Sequence, residues 1–369
     1  MTMVADDAAL QRIVERIRDA TASRTALEIV GSGSKRFYGE APQGEPLDLR
    51  PLAGISSYEP SELVVTARAG TPLAELEAAL AERGQCLPFE PPRFAGAGSI
   101  GGTVGGMVAA GLAGPARATV GSVRDYVLGA TLLNGQGELM SFGGQVMKNV
   151  AGYDVSRLLA GSMGVLGVVC EVSLKVLPRP VALHTLRFEC TEEEALRRLN
   201  AWAGRPLPLN ASAWWNGMLV LRLAGAAAAV QSAVRTLGGE PVDDTLADSF
   251  WTGLRDQSDE FFQRGEQALA AGATLWRLSL PPTAPAAALP GEHLVEWGGA
   301  QRWVVTSASA ATLRELASRL GGHAVAFRGS KAGGAFAPLE PALAAIHHRL
   351  KAAFDPAGIF NPGRLYPDL

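Results

Sequence analysis

Two loops rich in small residues are candidate binding sites for a phosphate-bearing ligand. Residues 32–36 (Ser-Gly-Ser-Lys-Arg) directly follow a predicted strand and offer hydroxyls, backbone amides and two positive charges. Residues 99–106 (Ser-Ile-Gly-Gly-Thr-Val-Gly-Gly) carry no charge and few side chains. Glycine-rich backbone lets an anion or a flat ring approach the main chain, and the cationic loop suits a diphosphate. The alternative, two flexible surface loops, is weakened because one domain contains both tracts, one uncharged and one cationic.

The other motifs that could bind a nucleotide or perform hydrolysis do not fit. Residues 96–101 match Gly-x-Gly-x-x-Gly, but Pro91 and Pro92 precede them where a Rossmann strand should lie, and more glycines follow. Residues 160–164 only loosely resemble a nucleophile elbow, and they follow a predicted helix instead of a strand. The sequence also has no His-Glu-x-x-His, Walker or Cys-x-x-Cys motif. Classical NAD binding and hydrolase chemistry are therefore disfavoured.

The residue types that ligate metals are scattered. The three cysteines, Cys86, Cys170 and Cys190, are too widely spaced for a disulfide framework or a zinc or iron–sulfur site. Of the five histidines only His347 and His348 are neighbours. We therefore predict no metal site. Free cysteines and an N-terminus without an apolar segment predict a cytoplasmic protein.

Neither a membrane span nor a nucleic-acid surface is predicted. Residues 94–116 are uncharged over 23 positions, but eight of these are glycine and large aliphatic residues are sparse. Such a stretch is unsuited to a membrane-spanning helix, and its composition is typical of a glycine-rich loop that binds a ligand. The 33 basic residues are balanced by 36 acidic ones, whereas nucleic-acid binding needs clustered positive charge.

The elements that must position the loops follow from hydrophobic periodicity and from turn residues. The predicted helices of the first half are residues 8–20, 72–83 and 154–160. The predicted strands are residues 26–30, 63–67, 127–134, 138–142 and 165–177. We expect Thr71 to cap the second helix and Pro72 to open it.

The second half differs in composition. All seven tryptophans lie between Trp202 and Trp303 and all five tyrosines lie outside that interval, which indicates two separate cores. Between residues 183 and 238 the pattern is strand, helix, strand, helix. A similar order recurs after residue 246, with strands at 274–280, 302–306 and 324–327. This predicts a repeated split βαβ unit.

Three runs of sequence, residues 64–76, 98–106 and 121–129, resemble the FAD-binding domain of the vanillyl-alcohol-oxidase (PCMH-type) flavoproteins. Residues 148–154 (Lys-Asn-Val-Ala-Gly-Tyr-Asp), residues 161–167 and the ending at residues 354–364 resemble the branch of that family that oxidises glycolate and D-lactate. The short length and residues 144–149 (Gly-Gln-Val-Met-Lys-Asn) are similar to the smaller FAD-binding subunits within that branch.

This resemblance implies an α+β fold with a PCMH-type FAD-binding domain of two α/β subdomains (residues 1–180) and a smaller split-βαβ (ferredoxin-like) cap domain (residues 181–338). Residues 339–369 would return to the FAD domain. The implied cofactor is FAD, held non-covalently because the first loop has no histidine to tether it. The implied cofactor-binding residues are Ser32, Gly33, Ser34, Lys35, Arg36, Pro91, Ser99, Ile100, Gly101, Gly102, Thr103, Gly105, Gly106, Arg124, Lys148, Gly164, Gly167, Val168, Val169 and Asn361.

The sequence departs from the catalytic members of this branch in two places. They typically carry Gly-Ser-Glu-Gly, where this chain has Met163 in place of the carboxylate, and a histidine-rich metal site that residues 181–338 lack. The resemblance therefore implies an FAD-binding subunit of a glycolate oxidase complex that converts a small 2-hydroxy acid to a 2-oxo acid. Its partners would be a second FAD subunit and an iron–sulfur subunit, which would bring it to the inner face of the cell membrane. No catalytic residue is assigned.

Two alternatives stay open. A self-sufficient FAD-dependent D-lactate dehydrogenase would need Arg328 or Lys331 to hold the substrate carboxylate. It would also need His323, His347 or His348 as the base. A non-catalytic structural subunit would instead carry an empty or inert flavin site.

Overall fold

The structure is a computed structural model that describes residues 7–94, 101–144 and 153–369. Its helices are α1 Ala8–Ser23, α2 Leu73–Ala81, α3 Val104–Ala110, α4 Arg117–Val120, α5 Val123–Tyr126, α6 Val155–Leu158, α7 Glu192–Ala203, α8 Ala227–Leu237, α9 Asp244–Asp256, α10 Glu260–Ala270, α11 Ala310–Arg319 and α12 Pro341–Phe354. Its strands are β1 Leu27–Val30, β2 Glu45–Asp48, β3 Ile55–Glu59, β4 Val64–Arg68, β5 Gln85–Cys86, β6 Val127–Leu133, β7 Leu139–Gly143, β8 Val168–Lys175, β9 Leu177–Pro178, β10 Ala182–Glu189, β11 Leu209–Trp215, β12 Met218–Gly225, β13 Glu240–Pro241, β14 Thr274–Ser279, β15 Glu292–Glu296, β16 Gln301–Thr306 and β17 His323–Arg328.

A five-stranded antiparallel sheet forms the centre of the first half, in the order β3-β4-β8-β6-β7. The central strand β8 is buried along almost its whole length, because it has a strand on each side and packed side chains on both faces. Helix α2 packs Leu73, Leu76 and Leu80 into this core, and α3 adds Met107 and Val108. The sheet is therefore the platform on which the glycine tract before α3 rests.

The start of α2 corrects one prediction. The hydroxyl of Thr71 does not cap the helix. It accepts a hydrogen bond from the Gly54 amide at 2.9 Å and donates to the Gly54 carbonyl at 3.1 Å. The hydroxyl therefore ties the turn before α2 to the loop that leads into β3, and Pro72 occupies the cap position.

A second unit of the first half contains the parallel pair β1–β2, helix α1 and the end of the chain. The Leu27 amide donates to the Ile359 carbonyl at 2.7 Å, and the Asn361 amide donates to the Leu27 carbonyl at 2.9 Å. Asp355, itself buried, accepts hydrogen bonds from the amides of Ile359 and Phe360. These contacts place the C-terminal segment beside β1, where the cationic loop begins.

The second half is built on an eight-stranded sheet in the order β13-β10-β12-β11-β15-β16-β14-β17. Strands β10 to β13, numbered 1 to 4, have the order 4-1-3-2, and strands β14 to β17 repeat that order. This is the ferredoxin-like arrangement that the split βαβ pattern predicts. The two halves join where β11 pairs with β15, through Ala213 with Glu296 and Trp214 with Val295.

The sequence analysis did not predict strands β11 and β15, and it predicted fewer helices in this half than the structure has. Strand β11 consists largely of alanine, serine and asparagine after two prolines, and β15 is five residues long. Neither has a strong strand propensity of its own, so pairing with neighbours decides their conformation. The helical region after residue 243 is two helices, α9 and α10, whereas one was predicted. The domain boundaries near residues 180 and 339 stay predictions.

Candidate functional site

A cleft lies where the loop after β1 faces the start of α3. We call it the loop cleft. It is lined by residues 28–36, Thr103, Gly106, Ala109, Ala110, Met163, Asn361 and Arg364. The two tracts that the sequence singled out, residues 32–36 and the end of the glycine-rich run, therefore line one cleft together.

Contact between the two tracts depends on Gly31. A Cβ atom at Gly31 would lie 2.3 Å from the Thr103 hydroxyl oxygen, so only glycine permits this approach. Thr103 is held in place because its hydroxyl accepts a hydrogen bond from the Gly106 amide at 3.3 Å. Gly33 follows with a φ of +74°, the left-handed region, and lets the loop turn back toward the cleft.

The glycines of the second tract have packing reasons that the sequence did not show. A Cβ at Gly102 would lie 2.7 Å from a methyl carbon of Leu73, in the core, and 3.0 Å from the Lys35 ammonium. A Cβ at Gly105 would lie 2.6 Å from the Cβ of Ala69. Both glycines thus seat α3 against the segments around α2 and β4, and neither contributes directly to the wall of the loop cleft.

Lys35 is the most perturbed cation of the loop cleft. Its ammonium donates to the Ser34 hydroxyl at 3.4 Å and lies 5.4 Å from the centre of the Phe94 ring. Burial lowers the pKa of Lys35 to about 8, and the negative charge of Asp256 offsets this effect only in part. Among the described residues no carboxylate forms an ion pair with Lys35. A bound anion would supply the charge that the site lacks.

Arg36 plays a different part. Its guanidinium forms an ion pair with Glu28 at 2.8 Å, and its side chain is largely exposed. Glu28 is buried on β1 and also lines the cleft. The pair anchors the end of the loop to the strand that precedes it, so Arg36 has less freedom than Lys35 to turn toward a ligand.

Arg364 is the cleft residue that the sequence analysis missed. Its side chain is buried, and Nη2 donates to the Arg36 carbonyl at 2.8 Å and to the Lys35 carbonyl at 3.4 Å. The buried Nη1 has no hydrogen-bond partner among the described residues. Burial lowers the pKa of Arg364, but a guanidinium remains charged at neutral pH. The only sequence feature that could have indicated a role for Arg364 at this site was its position in the Asn-Pro-Gly-Arg ending.

Asn361 lines the cleft, but its side chain serves the protein itself. Its carbonyl oxygen accepts a hydrogen bond from the Ile29 amide at 2.8 Å, and its Nδ2 donates to the Met163 carbonyl at 2.6 Å. A Cβ at Gly164, which has a φ of +75°, would lie 2.7 Å from that same Nδ2. Asn361 and Gly164 thus form a clamp between β1, the chain end and Met163.

The remaining predicted cofactor residues lie elsewhere. Pro91 is buried outside the loop cleft, and Arg124 lies at a second cleft against the eight-stranded sheet. Val168 and Val169 are buried in the packing around β8, and a Cβ at Gly167 would lie 2.6 Å from the Leu133 carbonyl. Gly101 has a φ of +73° and precedes the lining residues. Ser99, Ile100 and Lys148 lie outside the described residues.

The donor set of the loop cleft fits a dinucleotide with a diphosphate. It combines a half-buried ammonium, an unpartnered guanidinium nitrogen, the Ser32 and Ser34 hydroxyls and a glycine-rich backbone, which suit phosphate oxygens. Lys35 and Arg364 would hold the diphosphate of FAD here. Among the described residues no cluster of histidine, cysteine or acidic side chains could hold a metal ion. No helix in the same residues has the length and hydropathy of a membrane span.

The groups that the self-sufficient alternative requires are not assembled. The Arg328 guanidinium lies 3.9 Å from the Phe37 ring centre and donates to Gln257, and Lys331 donates to the Ala326 and Phe327 carbonyls. On helix α12, His348 pairs with Asp368 at 3.1 Å and His347 lies against Tyr366. His323 lies near a different cation, Arg277, with which it lines a second cleft.

Two family models, curated relatives and a solved structure resemble this chain. Residues 4–143 match an FAD-binding domain family, and residues 337–365 match the C-terminal domain of FAD-linked oxidases. Glycolate oxidase subunit GlcE of Escherichia coli is 47% identical over 359 residues, 97% of this chain and 98% of that protein. Glycolate oxidase subunit GlcD of Bacillus subtilis is 31% identical over 42% of this chain and 33% of its own length. A solved alkyldihydroxyacetonephosphate synthase has the same fold, with a TM-score of 0.61 at 13% identity over 95% of this chain and 75% of that one.

Proposed function

Because this chain belongs to the family of glycolate oxidase subunit GlcE, within the PCMH-type FAD-linked oxidases, we propose that it is the FAD-binding subunit of such an oxidase complex. The complex would oxidise glycolate, or another small 2-hydroxy acid, to the 2-oxo acid. The match to GlcE carries the proposal, since it extends over nearly the whole of both chains. The loop cleft supports it, because neither Lys35 nor the free nitrogen of Arg364 has a carboxylate partner among the described residues.

The residues of the loop cleft would bind and orient the cofactor. Lys35 and Arg364 would hold the diphosphate, and Arg364 would also fix the loop through the carbonyls of residues 35 and 36. The pair Arg36–Glu28 would keep the loop attached to β1. Bound FAD supplies two-electron acceptor chemistry for the oxidation of an alcohol.

The proposal includes partners that receive the electrons. We propose a second FAD subunit and an iron–sulfur subunit, with the assembly at the inner face of the cell membrane. The relatives support a multi-subunit assembly, since GlcE and GlcD are both subunits of a glycolate oxidase. Met163 at the loop cleft adds support, because it offers no acid or base where the family's catalytic members have a glutamate.

Anaerobic reduction of the isolated chain separates a subunit from a complete enzyme. The FAD-loaded chain is mixed with excess glycolate or D-lactate without oxygen, and flavin bleaching is followed by stopped flow. The proposal expects slow bleaching by the lone chain and fast bleaching by the complex purified with its partners. Rapid, substrate-dependent bleaching by the lone chain would show a self-sufficient dehydrogenase.

A further inference from the structure

A second cleft lies between the first half and the eight-stranded sheet. We call it the arginine cleft. One wall comes from Gly111, Ala113, Arg117, Ser122, Arg124, Ala160 and Gly161. The other wall comes from Arg277, Ser279, Leu280, Trp297, Ala300 and His323. Five of the thirteen lining residues are glycine or alanine, so small ligands have access to the backbone as well as to the charged groups.

The arginine cleft carries an unbalanced positive charge. Three arginines line it, and no lining residue is acidic. Asp125, next to Arg124 in the sequence, accepts hydrogen bonds from the amide and hydroxyl of Ser122, both at 2.8 Å. Burial and the positive charges of Arg277 and Arg124 lower the pKa of Arg117, and Asp125 opposes this shift. Three arginines against one neighbouring carboxylate leave the cleft with a net positive charge, which attracts anions.

The arginines are held so that nitrogen atoms remain available. The Arg117 guanidinium lies over the Trp297 ring, 4.6 Å from its centre, and this cation–π contact does not use its N–H groups as hydrogen-bond donors. Arg277 donates through Nη2 to the Tyr38 hydroxyl at 3.0 Å, while its buried Nε has no partner among the described residues. A planar guanidinium with free N–H groups matches a carboxylate better than a point charge does.

The arginine cleft shares a wall with the loop cleft. Ala110 and Met163 line the loop cleft, whereas Gly111 and Gly161, one and two residues away, line the arginine cleft. The two segments are joined by backbone hydrogen bonds, from the Gly161 amide to the Val108 carbonyl at 2.9 Å and from the Met163 amide to the Ala109 carbonyl at 2.8 Å. A ligand in the arginine cleft would therefore lie next to the cofactor cleft.

We propose that the arginine cleft binds the carboxylate of the small 2-hydroxy acid, with Arg277 as its inner contact and Arg117 and Arg124 at its mouth. This inference rests on the proposed function, which supplies the substrate class. On this proposal the chain holds the substrate through the negative charge of the substrate carboxylate. His323, at the rim beside Arg277, has its pKa lowered by burial and by that arginine, so it is neutral at physiological pH and adds a hydrogen-bonding group.

Titration calorimetry with glycolate on the FAD-loaded full chain tests the proposal. Arg117→Gln and Arg124→Gln are suitable variants, because neither side chain forms an ion pair among the described residues. Each should raise the dissociation constant of glycolate by about fivefold, and the double variant by more. Arg235→Gln, an exposed arginine on α8, is the matched control and should change nothing. Glycolamide, which lacks the charge, should bind weakly to every form.

Three results would overturn the proposal. Equal glycolate binding by all variants would place the acid elsewhere. Loss of FAD from the Arg117 and Arg124 variants would assign the cleft to the cofactor. Absence of glycolate binding to the wild-type chain would leave no small-acid site. Failure of the proposed function looks different: the cleft would still bind glycolate through its arginines, but the purified complex would not oxidise it.

Discussion

The affinity of this chain for FAD should fall as the pH rises from about 7 to about 9.5, because Lys35 loses its proton over that range. Burial lowers the pKa of Lys35 to about 8 in the free chain. A diphosphate beside the ammonium would stabilise the charged form and raise that pKa on binding. Binding then takes up a proton, and the affinity decreases wherever the free chain has already lost it.

The size of the effect follows from the pKa. If the bound form keeps its proton throughout, the dissociation constant of FAD should rise about 30-fold between pH 7 and pH 9.5, since the protonated fraction of free Lys35 falls from about nine-tenths to a few hundredths. If FAD binding raises the pKa of Lys35 by less, the affinity for FAD falls over a narrower pH interval. The steepest change is expected above pH 8, at a slope near one decade per pH unit.

The assay is a titration of the FAD-free chain at constant ionic strength, followed by quenching of flavin fluorescence. Lys35→Arg keeps the charge across the range and should have a nearly flat profile. Lys35→Met has no proton to lose, so it should bind more weakly at pH 7 and also show a flat profile. A wild-type slope that persists unchanged in both variants would show that another group titrates, and that Lys35 does not face the diphosphate.

Three further outcomes are expected. Acid precipitation of the purified chain should release FAD into the supernatant, and a yellow pellet would show a covalent link. Asn361→Leu breaks the clamp between Ile29 and Met163 and leaves two buried backbone groups unpaired, so the free energy of unfolding in urea should fall by about 2–4 kcal/mol. A loss below about 1 kcal/mol would contradict that role. Glu296 is fully buried, and burial raises its pKa to about 7 although Trp303 donates to it. The folded chain therefore holds a proton that the unfolded chain has lost, and stability falls as the pH rises from about 4.5 through 7. Glu296→Gln should remove this slope and gain up to about 3 kcal/mol at pH 8 in denaturant titrations, whereas an unchanged slope would assign it to another group.

Much of the candidate site was visible in the sequence because its residues are local signals. A run of glycine, serine and basic residues after a strand predicts a ligand loop, and residues 32–36 do line the loop cleft. Gly102 was predicted to give a ligand access to the backbone, but the structure requires glycine there because Leu73 and Lys35 fill the space beside it. Substitution there would disturb the core as well as any ligand.

What the sequence could not show depends on distant parts of the chain meeting. Arg364 contacts the carbonyls of residues 35 and 36 from more than 300 positions away. The arginine cleft likewise brings together Arg117 and Arg124 of the predicted FAD domain and Arg277 of the predicted cap domain. Strands β11 and β15 have a weak intrinsic strand propensity, and their pairing with each other stabilises the extended conformation. Such contacts leave no periodic pattern along the sequence.

Glycolate oxidation by the assembled complex tests the central claim most directly. The complex is purified through a tag on this chain, and glycolate-dependent reduction of an artificial electron acceptor is measured for wild type and Lys35→Glu. Charge reversal beside the diphosphate should deplete FAD from this chain and remove most of the activity, while the complex still assembles. A complex that retains wild-type turnover with no FAD in this chain, or a wild-type complex that does not oxidise glycolate, would contradict the account.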